Sequence, residues 1–93
     1  MTNNEQLFKQ IEADMLSTYV DKNADYGDSF TYTCDKFGLI AAVIRINDKV
    51  NRLNSITKNN DIKVKNESLE DTLKDLANYC IMTLIYLKNG ENK

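Results

Sequence analysis

The sequence predicts an all-α fold: a small bundle of three main helices (about 3–22, 35–55 and 67–88), with a short turn at 30–34, completed by oligomerisation. Three observations predict it. Apolar residues recur at helical spacing in three long stretches. The chain contains no proline, the residue a helix interior tolerates least. Its 93 residues make a single domain, 1–93. A domain of that size buries only about 60–65% of its unfolded surface, so association is the expected way to complete its core.

The first helix, 3–22, opens on Thr2, Asn3 and Asn4, all residues that cap helices, with Glu5 suited to the first turn. Leu7, Phe8, Ile11, Met15 and Tyr19 supply its apolar stripe. The pattern breaks at N-A-D-Y-G-D-S, 23–29. Tyr26 beside Gly27 reads either as a ligand lid or as a core plug next to a turn. Phe30 to Cys34 reads as one helical turn, because Thr31 and Thr33 are modest helix formers. From Asp35 onward Leu39, Val43, Ile46, Val50 and Leu53 share one face, and Gly38 marks a kink or a close approach.

Residues 56–66, I-T-K-N-N-D-I-K-V-K-N, read as a polar connector. Its Lys58, Lys63 and Lys65 either solvate it or help receive an anion, and Ile62 and Val64 alternate with lysines as in a short extended piece. The last helix, 67–88, is capped by Asn66 or Ser68 and carries Leu69, Leu73, Leu76, Cys80, Leu84 and Leu87. Asn89-Gly90 is expected to stop it.

Composition excludes several functions. A formal net charge of −2 argues against a duplex nucleic-acid binder, though not against a small anionic ligand. The chain has no histidine, which removes histidine triads and most zinc sites. Cys34 and Cys80 sit in apolar patterns and read as two buried thiols in a reducing compartment. A polar N-terminus and the lack of a run of about 20 apolar residues imply no signal peptide, no membrane and a cytoplasmic protein.

The chemistry is in two charged stripes. Glu67, Asp71 and Asp75 recur every four residues, so three carboxylates run along one helix. Arg45, Asp48, Lys49 and Arg52 share a face of another. Such stripes are expected to face each other across a groove. Arg45, Lys49 and Arg52, with Lys22 nearby, would receive phosphate. Glu67, Asp71 and Asp75 would orient these cations, and Tyr26 and Phe30 would border a base, with Tyr32 and Phe37 as further aromatics. A Mg²⁺ ion, were one bound, would be held by Asp48, Glu67, Glu70, Asp71 and Asp75. The same charges read equally as ion pairs that only fix helix register.

Three ordered motifs carry a resemblance: D-Y-G-x-S-F at 25–30, R-I-x-D-K-x-x-R-L at 45–53, and E-S-x-x-D-T-x-x-D-L-A-x-Y at 67–79. Over roughly residues 22–86 the chain resembles the nucleotide modification associated domain, type one, a small family found largely in phages and prophages. More remotely it is similar to the all-alpha nucleotide pyrophosphatases of the MazG and dimeric dUTPase kind. Those bind Mg²⁺ through E-E-x-x-E and E-x-x-D, usually as dimers or tetramers. The first motif's place is taken here by Asp48-Lys49-Val50-Asn51-Arg52. The second is represented by Glu67 and Asp71, or by Glu70 and Asp75, at altered spacing.

The resemblance implies a phosphorylated nucleotide held at an inter-helix, inter-subunit site of a dimer or tetramer in the cytoplasm of a phage's host. Cations in place of acids imply sequestration, for example of a host-defence nucleotide signal, rather than cleavage. The alternatives are a Mg²⁺-dependent nucleotide pyrophosphatase and a helical module for structure or protein interaction.

Overall fold

A computed structural model describes the backbone of residues 2–26, 28–58 and 62–91, and their side chains except those of 24–26 and 62–67. Four helices follow in order: α1 (Asn3–Tyr26), α2 (Ser29–Phe37), α3 (Ile40–Thr57) and α4 (Ile62–Glu91). There is no strand among the described residues. The all-α expectation therefore holds, with several boundaries corrected.

Thr2 caps α1. Its hydroxyl accepts a hydrogen bond from the Glu5 N–H at 3.1 Å, satisfying a donor that the first turn leaves open. α1 then continues past the expected end at 22, to Tyr26. The expected turn at 30–34 is a nine-residue helix, α2. In compensation, α3 starts at Ile40 rather than 35.

Gly38 is the reason for that division. Its φ of 89° and ψ of 178° lie in a region reserved in practice for glycine. Its N–H bonds back to the Cys34 carbonyl at 2.8 Å and closes α2. Its carbonyl receives the Ala41 N–H at 3.1 Å and helps to open α3. A Cβ built there meets nothing within 4 Å, so Gly38 is required by the backbone and not by a close neighbour.

α4 departs furthest from expectation. The connector residues from Ile62 onward are its first turns, so neither Asn66 nor Ser68 is a cap. It also runs through Asn89-Gly90 to Glu91 instead of stopping there. Its 30 residues reach about 45 Å at 1.5 Å each. That equals the longest dimension of the chain, 45 Å.

α3 and α4 form the main packed pair, with α2 on α3 and α1 resting lightly on α4. The pair is antiparallel: Lys49 meets Asp75, and three residues on, Arg52 meets Thr72, three residues back. Only Cys34, Ala42 and Thr72 are fully buried among the described residues, all small enough to let helices approach. Cys80, expected inside, is exposed. A four-residue shift along a helix turns it by about 40°, and Cys80 falls on the outer side of α4.

Candidate functional site

All four helices line one groove of about 320 Å³. α1 contributes Tyr19, Lys22 and Asn23, and α2 contributes Phe30 and Thr33. α3 contributes Ala41, Arg45 and Lys49, and α4 contributes Asp75, Asn78, Tyr79, Met82 and Ile85. Positions 75, 78, 79 and 82 follow i, i+3, i+4, i+7, which is one face of a helix.

Asp75 is the hub of the charged end. One carboxylate oxygen accepts from the Lys22 ammonium at 3.4 Å and the other from Lys49 at 3.3 Å. Lys22 is 60% exposed, whereas Lys49 and Asp75 are 27% and 32% exposed. The Lys49 pair is the better shielded of the two and links the packed helices. The Lys22 pair is screened by water and contributes little to holding α1. Arg45 lines the groove one turn before Lys49 on α3, level with Tyr79 in the antiparallel register, and has no carboxylate partner among the described residues.

The other end is apolar and aromatic. The Phe30 and Tyr79 rings lie 6.0 Å apart at 41°, a tilted pair that builds a wall between α2 and α4. Met82 and Ile85 continue it. Asn23 and Asn78 add amide donors and acceptors to the lining of the groove.

The structure thus brings Lys22, Phe30, Arg45, Lys49 and Asp75 together. Arg52 lies a turn away, its Nε donating to the buried Thr72 hydroxyl at 3.2 Å, and it meets no acid among the described residues. Asp71 is exposed and does not line the groove, so the three-carboxylate stripe contributes only Asp75 among its described members. Gly27 and the side chains of Tyr26, Lys63, Lys65 and Glu67 lie outside what the structure describes. Tyr32 and Phe37 point to solvent, where Lys36 covers the Phe37 ring at 5.3 Å. Asp48 and Glu70 are exposed, and no group of three metal-ligating side chains forms among the described residues.

Sequence reasoning missed Tyr79, Asn78, Tyr19 and Asn23 as site residues. The signal for the first two was present, since both follow Asp75 on its own helix face.

A second polar contact lies outside the groove. The Tyr86 hydroxyl donates to the Asp35 carboxylate at 2.8 Å and ties α4 to α2. That bond, followed by partial burial and the charge of Asp35, raises the phenol above its ordinary value. Burial also pushes the neighbouring Cys34 thiol up, against the Ala42 backbone hydrogen bond that pulls it down.

The family profile of nucleotide modification associated domain 1 matches residues 22–87. The comparison with curated proteins returned no match, nor did that with solved structures. The matched span covers α2, α3 and all but the end of α4, and starts at Lys22, the α1 cation that reaches Asp75. The chain is a member of the nucleotide modification associated domain 1 family.

Proposed function

We propose that the protein binds a phosphorylated nucleotide in this groove and sequesters it without cleaving it. One observation carries the reading. A single groove is lined by three cations, Lys22, Arg45 and Lys49, and by an aromatic pair, Phe30 and Tyr79. A nucleotide offers a charged phosphate to the first set and a flat base to the second. Arg45 would take phosphate oxygens through two N–H groups, and the lysines would add point charges. Phosphate would compete with Asp75 for Lys22 and Lys49, whose bonds to it are long enough to exchange.

Membership of a family named for nucleotide modification supports the ligand class. In a phage-encoded protein in the host cytoplasm, the ligand would be a nucleotide signal of host defence, such as a cyclic nucleotide. We place the groove's open side at a boundary with another subunit of a dimer or dimer of dimers. A metal-dependent pyrophosphatase would need its carboxylates to converge. Of the five residues expected to hold Mg²⁺, Asp48, Glu70 and Asp71 stand away from Asp75's groove.

Calorimetric titration with mono-, di-, tri- and cyclic nucleotides tests the reading, with chromatography of the recovered ligand. Binding with the nucleotide returned intact supports sequestration. Recovery of pyrophosphate would contradict it, and no heat with any nucleotide would remove the binding role.

A further inference from the structure

The chain exposes 7218 Å² of surface. A compact protein of 10.7 kDa exposes roughly 5,500 Å². Its radius of gyration, 15.2 Å, likewise exceeds the value of about 12 Å for a compact chain of this length. The excess surface, on the order of 1,700 Å², is about twice what one partner of a standard protein interface buries.

Part of that surface is ordered. On α4, Leu73, Ala77, Cys80, Leu84 and Leu87 are spaced by four, three, four and three residues. This is the seam that a second helix recognises in a coiled coil. Leu84 is 59% exposed and Leu73 48%, and Cys80 is exposed as well. At 100° per residue the seam lies on the opposite side of α4 from Asp75, Asn78, Tyr79 and Met82, so the groove does not account for it.

We infer that this seam docks against the same seam of a second copy of the chain. A surface of that size calls for a protein of equal extent, and a second copy brings the same apolar stripe. Cys80 is the midpoint of the seam. A twofold axis through the middle, along the helices or across them, brings Cys80 against its own copy. Cysteine and alanine at the centre let the helices come close. The pairing uses the side of α4 away from the groove, a boundary separate from the one proposed over the groove, so it stands independently of the nucleotide reading and is tested without nucleotide.

The test is oxidation of the whole protein with diamide, which accepts two hydrogens as two thiols join in a disulfide. A disulfide needs Cα atoms within about 4.4–6.8 Å. The expected result is a covalent dimer from wild type and Cys34→Ser, and none from Cys80→Ser. Light scattering should show wild type as a dimer or larger before oxidation, and Leu84→Lys as a species of half that mass with unchanged helix content. A wild-type monomer at every concentration would overturn the inference. So would an assembly in which Cys80 never cross-links, whatever Leu84→Lys does to folding.

Discussion

Asp75 on α4 accepts hydrogen bonds from Lys49 on α3 and Lys22 on α1, one on each carboxylate oxygen. One acid thereby links three helices and sets two cations in the groove that Arg45 also lines. The pairing has a dual character. It links α3 to α4 through Lys49, and it occupies charges that an anionic ligand would need.

Asp75→Asn separates these roles. Without the carboxylate, Lys22 and Lys49 are released to the ligand, and nucleotide affinity should rise a few-fold. The stability loss should stay within about 1 kcal/mol, because the pairs are partly exposed. Calorimetry and urea unfolding of the variant check this. A fall in affinity would mean that Asp75 itself touches the ligand.

The aromatic wall makes a different prediction. Phe30→Ala or Tyr79→Ala should weaken nucleotides while leaving inorganic phosphate or pyrophosphate unaffected. Loss of a stacked ring costs about 1–3 kcal/mol per base. Equal weakening of pyrophosphate would show that the wall only supports the fold.

Gly38→Ala should destabilise the protein through its backbone alone. A residue in that part of conformational space costs of order 1–3 kcal/mol, and the open surroundings add no clash. Thermal unfolding should show a lowered midpoint with groove binding retained in the folded population. An unchanged midpoint would contradict the role given to Gly38 in dividing α2 from α3.

The Tyr86–Asp35 bond predicts an alkaline limb. Tyr86 is raised in the fold because its neutral hydroxyl donates to Asp35. Its contribution is therefore fully present below the ordinary tyrosine value of about 10 and is lost as pH rises through the raised value. In urea unfolding across alkaline pH, wild type should exceed Tyr86→Phe at the lower end, and the gap should close as pH climbs. A gap independent of pH would contradict the assignment.

These contacts show how much the sequence carried. Helical spacing was enough for the all-α class, because stripes such as Leu39, Val43, Ile46, Val50 and Leu53 exclude a strand period. It was not enough for boundaries. Asp35 to Phe37 continue the pattern into α3, yet Gly38's backbone ends one helix and starts another. The alternation of Ile62 and Val64 with lysines suggested an extended piece, but four residues of period two also fit the first turns of α4.

The charged stripes were legible as facing surfaces and misleading in detail. A spacing of four advances about 40° each time, so Glu67, Asp71 and Asp75 drift around the helix and Asp71 misses the groove. Arg52 shares the face of Arg45 and Lys49, but the antiparallel register sets it against Thr72. Tyr79 was hidden for the opposite reason. It reads as part of the apolar helix, and only its place one turn after Asp75 marks it as a wall of the site.

The central claim is that Arg45, beside the Lys22–Asp75–Lys49 cluster, receives the phosphate of a nucleotide. The most direct measurement is calorimetric titration of wild type and Arg45→Ala with the tightest nucleotide of a panel. A lost charge-assisted hydrogen bond costs about 1.5–3 kcal/mol, so affinity should fall about 10- to 150-fold while helix content and assembly mass stay constant. Equal affinity in the two proteins, or no binding by wild type, would contradict the account.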